Sequence, residues 1–145
     1  MRTKTFLEQL DHDRIVRAIK EAEAKTSGEI RIYVQRGELD GDAFDYARRR
    51  FRQLGMEQTR ERNAVLIYVA PRARKFAVIG DEGVHKKCGD EFWQDLVEKM
   101  REHFQHDEFT GALVEAIEST AQLLARYFPK SSDRGNELPD DIVEG

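Results

Sequence analysis

Ile15, Ala18, Ile19 and Ala22 recur at helical spacing, one face of an α-helix. Asp11 stands before them, where a carboxylate caps free amides. Gly28 follows as a candidate left-handed C-terminal residue. The period then changes. In EIRIYVQR (29–36) Ile30, Ile32 and Val34 alternate with Arg31, Tyr33 and Gln35, the pattern of a half-buried strand. GELDGD (37–42) breaks it. A second helix is predicted behind Asp42, with Phe44, Ala47, Phe51 and Leu54 inside and Gly55 at its end. AVLIYVA (64–70) is apolar almost throughout, as in a strand covered on both faces. Only PRAR separates it from KFAVIG (75–80), which predicts an antiparallel hairpin. After Gly80 the period is helical again. Phe92, Trp93, Leu96, Val97, Met100 and Phe104 make a stripe that opens near Asp90. A last helix starts near Asp107, carries Leu113, Ala116, Ile117, Leu124 and Tyr127, and stops at Pro129.

A helix between the first two strands suits a parallel, right-handed crossover. The expectation is an α/β fold: a small mixed β-sheet, parallel crossover plus antiparallel hairpin, sandwiched between α-helices. A length of 145 residues suits one hydrophobic core. The chain divides into a single domain at 1–129 and an acidic C-terminal tail at 130–145. The net charge is -4. Asp133, Glu137, Asp140, Asp141 and Glu144 outweigh Lys130 and Arg134 in the tail, so the domain itself is close to neutral. Nucleic acid is not expected as a partner, since phosphate contacts need a basic face. One cysteine, Cys88, excludes an internal disulfide and is compatible with a reducing compartment. MRTKTFLEQLDHDR has no apolar signal region, and no stretch approaches the ~18 apolar residues of a membrane span. The expected location is cytoplasmic.

The candidate chemistry lies in VIGDEGVHKKCGDEFWQ (78–94), where Gly80-Asp81-Glu82 returns as Gly89-Asp90-Glu91. If the hairpin is right, the third strand ends beside the starts of the first two. Asp81 and Glu82 then approach Thr26, Ser27 and Asn63, and Asp90 returns to the same rim if 83–89 forms one turn. Carboxylates, an amide and hydroxyls gathered so would suit weak Ca²⁺ or Mg²⁺ binding completed by water. The competing reading is two helix caps, an acid before each helix complementing its dipole.

These elements, in this order, resemble the TPM domain in its short stand-alone bacterial form. The resemblance rests on TSGEIRIYV (26–34), LGMEQTRERNAVLIYVAPRARKFAVIGDEGV (54–84), FW (92–93) and YFPKSSDRGNELPDDI (127–142), and covers nearly the whole chain. It implies a small sheet between helices. Among members it implies divalent cations, weak acid phosphatase activity, photosystem repair or membrane assemblies. Members of the last two kinds usually carry a signal sequence or membrane segment, so a photosystem role is not expected here. Gly80-Asp81-Glu82-Gly83 is the more characteristic acidic motif of the family, which ranks Asp81 above Asp90. The resulting expectation is a module that binds Ca²⁺ or Mg²⁺ weakly through Asp81, Glu82, Asp90 and Asn63 and engages an unidentified protein partner. The alternatives are a metal-assisted phosphomonoesterase with Asp81 as nucleophile and a ligand-free scaffold. No residue is assigned a catalytic role.

Other constellations change the picture less. Glu38, Asp40 and Asp42 follow the first strand as a fragment of a calcium loop without its distal glutamate, or as a solvated turn. His85-x-x-Cys88 and His103-x-x-His106 have zinc-like spacing. A continuous helix over 89–102 would hold the pairs ~21 Å apart, so zinc is not expected. No Walker loop, Gly-x-Ser-x-Gly elbow or His-Glu-x-x-His is present, and no organic cofactor is expected. Arg48, Arg49, Arg50 and Arg52 read as a solvated face, or with Arg72, Arg74 and Lys75 as an anion-attracting surface. Leu138, Pro139, Ile142 and Val143 stand among the acids of the tail, which either frays or docks on its own domain or a neighbouring protomer.

Overall fold

The period-two alternation of the second strand is what builds two layers. In a computed structural model that describes residues 1–130 and 142–145, β1 (Glu29–Val34), β2 (Ala64–Ala70), β3 (Lys75–Gly80) and β4 (Ile142–Glu144) form one mixed sheet in the order β3-β2-β1-β4. Val65, Ile67 and Val69 of β2 face one core; Ala64, Leu66, Tyr68 and Ala70 face the other. Helix α3 (Ala43–Gln53) covers the second face with Ala47 and Phe51, followed by a 3-10 turn at Met56–Gln58. The first face is covered by α1 (Thr3–Glu8), α2 (His12–Glu23), α4 (Glu82–Gln105) and α5 (Phe109–Tyr127).

The crossover is parallel, with Glu29 opposite Ala64 and Val34 opposite Val69. The hairpin is antiparallel, with Val65 opposite Gly80 and Ala70 opposite Lys75. Asp11 caps α2, its carboxylate accepting from the Arg14 amide, and Asp42 caps α3 through Phe44. Gly55 follows α3 with φ 70°, the left-handed conformation a helix end favours.

Several details differ from the sequence expectation. Phe44, expected in the buried stripe of α3, is 47% exposed, while Ala47 and Phe51 are buried. All six residues of β1 are buried, not alternate ones, and Tyr33 joins the core under α3. Gly28 is not a left-handed cap. A Cβ there would lie 3.0 Å from both the Asn63 carbonyl and a Leu124 methyl, so its role is close packing. Helix α4 starts at Glu82, well before Asp90, and bends at Gly89 (φ 73°, ψ -175°), a conformation essentially reserved for glycine. The single turn over 83–89 that would have returned Asp90 to the rim is therefore two helical turns and a bend. Finally, the N-terminus carries α1, whose Phe6 is buried against Phe109 with ring centroids 5.2 Å apart.

Residues 142–144, within the stretch divided off as a tail, pair in parallel with Ile32–Val34 as β4. Arg36 Nη2 donates to Glu144 Oε2 at 3.0 Å beside this edge. Leu138 and Pro139 lie outside the described residues. Among the described residues no helix is long and apolar enough to cross a membrane.

Candidate cation site at the strand starts

Antiparallel pairing carries the end of β3 to the start of β2. The Asp81 amide donates to the Ala64 carbonyl at 2.9 Å, and the Gly83 amide to the Arg62 carbonyl at 2.9 Å. The turn 81–83 rests directly on the backbone of 61–62. A Cβ on Gly83 would lie 2.1 Å from the Glu61 carbonyl oxygen and 2.6 Å from that of Arg62, which only glycine avoids. The loop before β2 is held from inside by Thr59, whose hydroxyl accepts from the Asn63 amide at 3.1 Å.

Asp81 is the N-cap of α4, Oδ1 accepting from the Glu82 amide at 2.8 Å. Both carboxylate oxygens also accept from Arg62: Nε to Oδ2 at 2.7 Å and Nη2 to Oδ1 at 2.9 Å. Arg62 Nη1 reaches Glu82 Oε1 at 3.3 Å. The bond to Asp81 is the main reason that the Arg62 guanidinium is held even more firmly protonated than usual. The two side chains are unequally exposed, 38% for Arg62 and 6% for Asp81. The cation thus sits over the carboxylate from the solvent side. Arg62 itself has φ 52°, an uncommon conformation for a residue with a side chain.

Asn63 is fully buried. Its Nδ2 donates to Ser27 Oγ at 3.1 Å and to Glu61 Oε2 at 3.3 Å, while Ser27 Oγ donates to Glu61 Oε2 at 3.0 Å. Among the described residues its Oδ1 has no hydrogen-bond partner. A buried amide oxygen without a donor is costly, and water or a cation would satisfy it.

Of the residues expected at this site, Asp81, Glu82 and Asn63 stand on the two adjoining loops, and Ser27 joins them. Asp90 does not. It lies at the bend of α4, 81% exposed, with Oδ1 3.2 Å from His85 Nε2. Thr26 turns away, its hydroxyl donating to the carbonyls of Phe128 and Leu124. Glu61 and Arg62 were missed by sequence reasoning. The signal was the hairpin register: continuing it past Val65 and Gly80 sets Arg62 and Asn63 across from the Asp81–Gly83 turn. Among the described residues no three His, Cys, Asp or Glu side chains gather as ligands of one ion. Any cation here would depend on one or two carboxylates, the Asn63 amide, carbonyls and water.

The second acidic stretch is dispersed. Asp42 caps α3, the Asp40 amide donates to the Tyr46 hydroxyl, and Glu38 lies 3.6 Å from Arg72. Cys88 is a half-buried thiol whose pKa burial pushes up. A buried charged group also escaped sequence reasoning. Glu23 accepts from the Ile30 amide at 3.1 Å, and burial lowers the Arg31 pKa, with the fields of Glu23 and Glu29 opposing it. Arg31 alternates with isoleucines, so it reads as a solvent-facing residue, yet it is buried.

The TPM domain profile matches residues 2–123. The chain is similar to the solved structure of the BA42 protein from the psychrophilic bacterium Bizionia argentinensis. Identity is 38%, 92% of each chain is covered, and the TM-score is 0.84. It also shares its fold with the N-terminal domain of the cg2496 protein from Corynebacterium glutamicum, at 17% identity over 88% of this chain and 76% of that one, with a TM-score of 0.59. No curated protein matches. With most of its length under one family profile, and with the mixed sheet and helix layers of its structural neighbours, the chain belongs to the TPM domain family.

Proposed function

We propose that this chain is a non-catalytic TPM module whose loops 61–63 and 81–83 bind Ca²⁺ or Mg²⁺ weakly. The observation that carries the reading is the buried, unsatisfied Oδ1 of Asn63, set in a rim where Glu61, Asp81 and Glu82 outnumber Arg62. Such a rim offers oxygen ligands and negative charge but few carboxylates per ion, which is the chemistry of a weak site finished by water. Arg62 is the resident counter-cation, and an incoming ion shares or displaces its hold on Asp81.

The module also engages a protein partner through α3. Apart from Met1, the exposed large apolar side chain among the described residues is Phe44, at 47%. It shares α3 with Arg48, Arg49 and Arg52, which favours an acidic partner surface. The hydrolytic alternative has less support. Three hydrogen bonds already fall on the Asp81 carboxylate, two from Arg62 and one from the Glu82 amide; an ion can share an oxygen with Arg62, whereas such bonds make a carboxylate a weaker nucleophile.

A Ca²⁺ and Mg²⁺ titration followed residue by residue through backbone amide signals tests the cation reading. Saturable shifts at 27, 61–63 and 80–84 that vanish in Asp81→Asn support it. Shifts absent there, or unchanged in Asp81→Asn, remove it. Metal-dependent turnover of a generic phosphate ester, lost in Asp81→Asn, would return the chain to the hydrolases.

A further inference from the structure

At the other end of the sheet, where β2 finishes and β3 begins, a cleft of about 550 Å³ opens. Four phenylalanines are among the residues that line it. Phe76 of β3 and Phe104 of α4 lie with ring centroids 5.0 Å apart, and Phe104 and Phe109 of α5 lie 6.1 Å apart. Phe6 of α1 completes the group. Among the side chains that line it, Arg74, Lys75 and Arg101 stand against one carboxylate, Asp107.

The three cations are not equivalent. Arg101 already holds Glu98 at 2.7 Å, and Lys75 Nζ donates to the Gly41 carbonyl at 3.3 Å. Among the described residues no carboxylate forms an ion pair with Arg74. Its backbone is also out of the ordinary: φ is 56°, at the hairpin turn whose chemistry favours glycine, asparagine or aspartate. Asp107 shares the left-handed conformation, but it directly follows a helix end and belongs to a residue type that tolerates it. Arg74 closes the Pro71–Arg74 turn, its amide donating to the Pro71 carbonyl at 3.1 Å, but it is not a residue type that this conformation favours. A strained residue with a long cationic side chain lines this cleft, and strain of this kind collects at binding sites.

We propose that this cleft binds a small amphiphilic carboxylate, its apolar body against the phenylalanines and its head on Arg74. The volume falls within the range of small-molecule sites. The position, outside the carboxyl end of a strand in the parallel part of an α/β sheet, is the usual one for ligands. Arginine matches a carboxylate through two parallel hydrogen bonds. Asp107 opposes a doubly charged head, which favours a carboxylate over a phosphate monoester. The cleft shares no residue with the cation rim, so this inference stands or falls apart from that reading.

The test uses the full chain with decanoate, decanol and acetate, following amide signals at 69–76 and 101–109. Decanoate is expected to give saturable shifts there below its own aggregation threshold, decanol to bind about tenfold more weakly, and acetate to give none. Arg74→Gly relieves the left-handed strain, so the variant folds at least as well as the parent; its decanoate affinity is expected to fall to that of decanol. Decanol binding as tightly as decanoate, Arg74→Gly binding decanoate unchanged, or decanoate leaving these signals in place overturns the proposal.

Discussion

The guanidinium of Arg62 holds the carboxylate of Asp81 by two hydrogen bonds, 2.7 and 2.9 Å long, while the same carboxylate caps α4. Asp81 therefore does two jobs that substitution can separate. Asparagine keeps a capping oxygen and loses the charge; alanine loses both. Asp81→Ala is expected to be less stable than Asp81→Asn by about 1 kcal/mol, the usual worth of a cap. Urea unfolding of the two variants measures it. Equal midpoints would mean that the cap contributes nothing to the fold.

Arg62 tests the cation reading from the other side. If the rim takes Ca²⁺ or Mg²⁺, the guanidinium competes with it for Asp81 and Glu82. Arg62→Gln should then bind Ca²⁺ several-fold more tightly than the parent chain, by calorimetry or amide shifts. Weaker binding would assign Arg62 to organising the loop, not to competing with the ion.

The layers were legible because apolar period reports burial directly. β2 and the crossover follow from AVLIYVA and the helix before it, and their register matches that reading. Arg31 was not legible, because a charge between isoleucines looks solvent-facing, yet it is buried. The geometry of the candidate site was half legible. Asp81, Glu82 and Asn63 follow from strand direction. Asp90 failed since residues 82–88 are helical, and composition alone does not separate a turn from two turns of helix ending at a glycine. Arg62 was missed since its role depends on partners brought to it by the hairpin.

Gly83 and Gly41 should respond oppositely to alanine. At Gly83 the new Cβ would meet two backbone carbonyl oxygens, which cannot swing aside as a side chain can. Gly83→Ala is expected to cost about 2 kcal/mol or more and to disturb the amide signals of 61–63. At Gly41 the nearest atom is 3.9 Å away, on the Tyr46 ring. Gly41→Ala is expected to lie within about 0.5 kcal/mol of the parent, or slightly above it in stability, through a less flexible unfolded chain. Thermal or urea unfolding of the pair decides it; equal losses would show that the contact at Gly83 relaxes freely.

His103 gives the fold a pH dependence of predictable sign. The ring stands between Glu115 at Nε2 and Glu108 at Nδ1, tying the end of α4 to α5, and the bonds to these two glutamates raise its pKa, Glu115 most. A histidine whose folded pKa is raised binds its proton more tightly folded than unfolded, so acidification through this range favours the folded state. The contribution is complete below the ordinary histidine value near ~6.5, provided the glutamates stay ionised, and is lost as pH rises through the raised value. The groups are partly exposed, so its worth is about 0.5 kcal/mol. His103→Gln should therefore be less stable than the parent near pH ~5.5 and approach it by pH ~9, beyond the histidine range. Urea midpoints across that window measure the convergence. A difference independent of pH would mean that the ring acts by packing alone, and one that widens with pH would reverse the assignment of charge.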